Sequence, residues 1–117
     1  MNHIDATRQG NCLFVRLVGE FATDAAADLD AVLAAAPAAC SLVLDLSEAV
    51  KLGGLGISYL IRLQTRLSTQ GGALFLRNVA ASVARELVMR DLAGFFRVVE
   101  EWDDDMGDDM LSLLAVR

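Results

Sequence analysis

Histidine, proline, tryptophan and tyrosine are each present only once in this 117-residue chain, and there are only two cysteines. With His3 in the N-terminal segment as the only imidazole, a Ser-His-Asp arrangement has no base to draw on elsewhere. Cys12 and Cys40 make no CxxC pair, so a zinc site lacks its usual ligands. No apolar run reaches the roughly 18 to 20 residues needed to cross a bilayer, because Arg, Asp or Lys interrupts each one. The start, MNHIDATRQGN, lacks the basic-then-apolar order of a secretory signal. The expectation is a cytoplasmic protein, not embedded in a membrane, with both cysteines as reduced, buried thiols.

Basic residues are also scarce, ten Lys and Arg against sixteen Asp and Glu. Seven of the acids crowd into Glu100 to Asp109, EEWDDDMGDD, and the rest of the chain is close to neutral. Nucleic-acid binding therefore has no basic stripe to support it. The acidic segment has neither the ligand spacing nor the central turn of a calcium loop. It reads as a solvated run at a helix N-terminus, where the helix dipole favours negative charge, with Trp102 packed beneath that helix. Paired carboxylates occur only there, and nothing suggests a pocket around them. No catalytic residue, metal or cofactor is expected.

What the chain does have is apolar patterning: 55% of it is hydrophobic, which argues against disorder. The length suits one domain, 1–117. Asn2 to Thr7 and CLFVRLVGEF, separated by a Gly-containing turn, predict an antiparallel hairpin. Thr23 is the expected N-cap of a first helix whose Leu29, Val32, Leu33 and Ala36 share one stripe, and Pro37 closes it. Ser41 to Leu46 is too continuously apolar for a half-exposed strand and reads as central, covered by helices. SEAVK reads as a turn, and a helix from Gly54 or Leu55 to Gln70 ends at Gly71 and Gly72.

ALFLR is the next strand. Asn78 is the expected cap of a third helix carrying Val79, Val83 and Leu87, and Gly94 ends that segment. FFRVVE is the last strand, followed by a helix through Met106, Met110, Leu113 and Leu114. The order β-β-α-β-α-β-α-β-α implies an α/β fold with a mostly parallel sheet, right-handed crossovers and an antiparallel N-terminal edge strand.

The stretch from Leu42 to Leu67 organises this plan, because a buried strand feeds through a short loop into a helix N-terminus. That junction is where an open α/β sheet places its working surface. LGGLG superficially suggests a phosphate loop, but it lacks the GKS/T ending and nucleotide-motif spacing. Its glycines are better read as serving the turn and close helix approach.

VGEF at the end of the second strand, LVLDLS, GGLG, GGALFLRNV and RELVMRDLAGFFRVV follow one another in an order that resembles the STAS domain. That module is shared by sulfate transporters and bacterial anti-sigma factor antagonists, and the resemblance spans essentially the whole chain. It implies a STAS-like sheet and a non-enzymatic role in binding an anti-sigma factor or related kinase-like regulator. In phosphorylation-controlled members a Ser of an Asp-Ser-Ser-Gly-Leu-Gly type of sequence is phosphorylated at the junction. Anchored on Gly54, Leu55 and Gly56, that acceptor position is Gly53 here, preceded by Leu52 and Lys51 in place of Ser and Asp.

Gly53 has no hydroxyl and carries no such switch. The partner surface that the resemblance implies comprises Lys51, Leu52, Gly53, Gly54, Leu55, Ile57 and Ser58, with Lys51 and Ile57 as contacts whose substitution leaves the fold intact. Ser47 and Ser58 are the nearest hydroxyls and read as turn and helix-surface residues. The alternative role is the cytoplasmic STAS subunit of a lipid-transporting ABC system, partnered by its ATPase. The second half of that subfamily's Asp-Thr-Gly-Gly-Leu junction matches Gly53, Gly54 and Leu55.

Overall fold

The computed structural model describes residues 3–36 and 39–99. In chain order these form β1 (His3–Gln9), β2 (Cys12–Glu20), α1 (Thr23–Ala34), β3 (Ser41–Asp45), β4 (Ala49–Lys51), α2 (Gly53–Thr69), β5 (Leu74–Arg77), α3 (Ala81–Met89) and β6 (Arg97–Val99). The sheet runs β1-β2-β3-β5-β6, with β4 attached to β2. Only β1 with β2 is antiparallel; the other pairs are parallel. This is the expected mixed α/β sheet with an antiparallel N-terminal edge.

Alternation along the strands divides the interior in two. Leu13, Val15 and Leu17 of β2, Leu42 and Leu44 of β3, and Leu74 and Leu76 of β5 point to one face, where residues from all three described helices join them in one apolar cluster. Leu29, Leu33, Leu60, Leu63, Leu67, Val83 and Leu87 are the helical side of it, at the three- and four-residue spacing of one buried stripe. Each such fully buried Leu contributes about 1.5–3 kcal/mol. The opposite face holds a smaller cluster of Cys12, Val43, Ala73 and Phe75, with Phe14 and Val99 packed on it. Arg97 lies over the Phe75 ring at 6.0 Å. The expectation that helices cover β3 thus holds, among the described residues, for its leucine face; Val43 packs with neighbouring strands.

Cys12 and Cys40 are buried in separate clusters on the two faces, so proximity in the sheet does not bring their thiols together. Burial pushes the Cys40 thiol up, against smaller opposing effects of a backbone hydrogen bond, Arg8 and Arg66, which keeps it protonated and inert.

Several local expectations change. SEAVK contains β4, which extends the parallel pairing of β2 across a register shift between Gly19 and Glu20. Thr23 is the first helical residue rather than the cap; Ala22 occupies the N-cap without a side-chain hydrogen bond. α2 begins at Gly53, one residue before the expected start, and ends as its glycines indicate: the Gly71 N–H bonds to the Ser68 carbonyl and the Gly72 N–H to that of Leu67. Asn78 does not cap α3. It adopts φ 52°, and Ala80 stands at the N-cap.

The same left-handed termination closes α3 at Asp91 (φ 62°), not Gly94, with N–H bonds from Asp91 to the Val88 carbonyl and from Leu92 to that of Leu87. Phe95 and Phe96 precede β6 rather than lying in it. Asn2, Pro37, Glu100, Trp102, the acidic segment and the final helix through Leu114 lie outside the described residues.

Candidate functional site

The junction between β3 and α2 is built around a carboxylate and a left-handed glycine. Asp45, the last residue of β3, is 5% exposed. Its Oδ1 accepts the Ser47 backbone N–H at 2.9 Å, and its Oδ2 accepts Arg77 Nε at 3.3 Å and Asn78 Nδ2 at 3.4 Å. Arg16 Nε lies 3.7 Å from the same Oδ2, and Arg16 also reaches Glu48 at 3.6 Å. Arg16, Asp45 and Arg77 are in register on adjacent strands, so alternating charges bind β2, β3 and β5 at their junction-facing ends. Burial pushes the Asp45 carboxyl up, but bonds from the Ser47 backbone and side chain, from Asn78, and the Arg77 charge outweigh it and hold the group below the usual carboxylate range.

This network fixes the start of the loop, and β4 fixes its middle. The Gly19 N–H donates to the Glu48 carbonyl at 3.0 Å and the Phe21 N–H to the Lys51 carbonyl at 2.9 Å. Alternation in β4 then buries Ala49 and leaves Val50 59% exposed. Leu52 returns to the core at 1% exposure. Gly53 follows at φ 67°, a conformation that costs an L side chain, and opens α2.

The loop's end is held from a distance. Glu86 of α3 accepts the Leu52 N–H through Oε2 and the Gly53 N–H through Oε1, both at 2.8 Å. At Gly56 an added Cβ would stand 3.0 Å from Cβ and Cγ of Phe21, so this glycine lets Phe21 close on the helix; at Gly54 it would meet nothing within 4 Å. The expectation that the glycines serve the turn and close helix approach holds for Gly53 and Gly56.

The seven residues anticipated as a partner surface divide into two groups. Lys51, Gly54, Leu55 and Ser58 are exposed, with Leu55 at 49%. Leu52 and Ile57, at 1% and 4%, are core residues, and Gly53 is half-buried with its N–H engaged by Glu86. Ile57 as a contact residue is therefore corrected. It falls on the apolar stripe with Leu60, and a charge there enters the core rather than a partner surface. Ser47 is a turn residue tied to Asp45. Val50 and Glu86 were not anticipated. Val50 was legible only once AVK was read as a strand, whereas nothing local marks Glu86.

Among the described residues no cluster of His, Cys, Asp and Glu is arranged to hold a metal, and no helix is long and apolar enough to cross a membrane. His3 faces Asp5 at 3.5 Å on the edge strand, away from the junction.

A family model described as "Mlab, STAS domain" matches residues 4–100. The chain belongs to the STAS domain family. No curated protein matches the sequence. Among solved structures, the STAS chain is similar to an anti-sigma factor antagonist from Mycobacterium paratuberculosis, with TM-score 0.74 and 20% identity over 96% of this chain and 95% of that one. It is similar to the anti-sigma factor antagonist SpoIIAA in its unphosphorylated form, with TM-score 0.71 and 14% identity over 92% and 96%. A protein of SpoIIAA-like fold from Shewanella loihica follows at TM-score 0.57 and 15% identity, with 95% of each chain covered. At these identities the likeness is one of fold alone.

Proposed function

We propose that this STAS domain is a non-enzymatic interaction module that binds an anti-sigma factor or related kinase-like regulator through the surface at the start of α2. The supporting observation is the exposure of Val50 in β4 and Leu55 in α2, two large apolar side chains on either side of the Leu52–Gly53 turn that Glu86 holds. Lys51, Gly54 and Ser58 complete that surface. Exposed apolar side chains on a rigid frame suit protein contact, because little ordering cost is left to offset at binding. Gly53 at the acceptor position makes this binding independent of a phosphate there: the residue has no hydroxyl. Control then falls to the partner's availability.

The unphosphorylated SpoIIAA and mycobacterial antagonist folds support the choice of partner class. Affinity capture from the native cell with the tagged chain, followed by mass spectrometry and reconstitution with purified proteins, tests it. Recovery of an anti-sigma kinase that binds the purified domain is the expected result. Recovery of an ABC transporter ATPase in its place overturns it.

A further inference from the structure

The N-terminus of α2 has no cap of its own. Leu52 at its N-cap provides no side-chain hydrogen bond, and the first turn holds no acidic residue. The opening N–H groups of a helix have no partner within it and carry partial positive charge. Here a carboxylate from another helix meets them. Each Glu86 oxygen takes one donor, from Leu52 and Gly53, so both oxygens are used in one pincer. Glu86 is placed for this by Val83 and Leu87, which are 0% and 4% exposed and seat α3 on the core. On the other side of the loop, the Lys51 carbonyl is already held by Phe21 of the β2 end. Between these two anchors the chain turns through Gly53 at φ 67°.

We propose that Glu86 is a positioning residue for the partner-binding surface. Its carboxylate caps α2 across the fold, fixes the turn at Leu52 and Gly53, and so sets the placement of Val50 relative to Leu55. The purpose assigned to the fixed turn rests on the docking reading above; the cap itself rests on the two hydrogen bonds. A neutral acceptor such as Gln offers a single oxygen, so it supports one of the two bonds and removes the charge that faces the helix end.

Amide hydrogen exchange, followed residue by residue by NMR on the full chain, tests the cap in wild type, Glu86→Gln and Glu86→Ala. Exchange at Leu52 and Gly53 is expected to quicken by about tenfold or more in Glu86→Ala. Glu86→Gln should fall between it and wild type, while Leu44 in β3 is unchanged and reports an intact fold. Affinity of the same proteins for a purified anti-sigma kinase is measured alongside and is expected to fall in the same order. Unchanged exchange at Leu52 and Gly53 in Glu86→Gln and Glu86→Ala overturns the cap, whatever the affinity. Faster exchange with unchanged affinity overturns the positioning role and leaves the docking reading standing, whereas a wild-type protein that does not bind the kinase overturns the docking reading and with it the positioning role, leaving only the cap.

Discussion

Phe21 leaves no room for a side chain at Gly56: a Cβ there would stand 3.0 Å from Cβ and Cγ of Phe21 and 3.1 Å from Cβ of Leu52. Phe21 is itself 7% exposed, with its ring centroid 5.3 Å from that of Tyr59, so it has little room to give way. Gly56→Ala gains helix propensity of up to about 1 kcal/mol but overpacks the site at a cost of about 1–3 kcal/mol, so the net effect is destabilising. Gly54→Ala, two residues earlier and facing open space, stabilises by a few tenths of a kcal/mol. Opposite shifts in the urea midpoint for the two variants check this; a stabilised Gly56→Ala contradicts the packing described.

Asp45 contributes stability that is lost toward acid pH. Its folded-state pKa is depressed, so its contribution is fully present above the unfolded value of about 3.9. Below that value the unfolded chain binds the proton first, and the contribution falls away as pH drops through the folded pKa. Asp45→Ala leaves Arg77, Asn78 and the Ser47 N–H without their shared acceptor and costs about 3 kcal/mol at neutral pH. The difference between wild type and Asp45→Ala, measured by denaturant titration, should shrink as pH is lowered from 5 to about 2. A difference that grows toward acid contradicts this sign.

Gly53→Ser places a hydroxyl at the acceptor position but does so at φ 67°, where an L residue pays roughly 1–2 kcal/mol. The space itself is adequate, with Lys51 Cε 3.8 Å from the new Cβ. The variant should fold with a reduced melting temperature for conformational rather than steric reasons. Gly53→Asn, better tolerated in this region, should lose less than Gly53→Ser. Equal stability of Gly53→Ser and wild type in calorimetry contradicts the strain assigned to this turn.

Asp91 ends α3 in the left-handed region that glycine favours, with the two capping bonds already in place. Asp91→Gly should therefore stabilise the fold by up to about 1 kcal/mol, raising the thermal midpoint by a few degrees. A lowered midpoint indicates that the Asp side chain contributes more than its backbone strain costs.

Asp91 also illustrates how far the sequence can be read. Repeating contacts were legible: the spacing of Leu29 and Leu33, the run from Leu42 to Leu46, and the stop at Gly71 and Gly72 each appear as predicted, because one local rule governs each. Features set by residues distant in sequence were not. β4 is three residues long and exists by pairing with β2, about thirty positions earlier in the chain. Asn78 has the side chain of a cap, but Asp45 takes its amide. At the site, Lys51, Gly54, Leu55 and Ser58 were legible only as candidates from the family resemblance, and they are exposed. Glu86 was not, because its role lies in two bonds to backbone 33 and 34 residues away.

In the proposed complex, exposed side chains of β4 and the start of α2, not buried ones, make the partner contact. That contact is tested most directly by calorimetric affinity for a purified anti-sigma kinase in wild type, Val50→Asp and Leu55→Asp, with melting temperature recorded for each. Both positions are exposed, so both variants should melt within a few degrees of wild type while binding at least about tenfold more weakly, as expected of residues at the centre of an interface. Ile57→Asp should instead lose the fold. Wild-type affinity in folded Val50→Asp and Leu55→Asp would show that the partner does not dock on this surface.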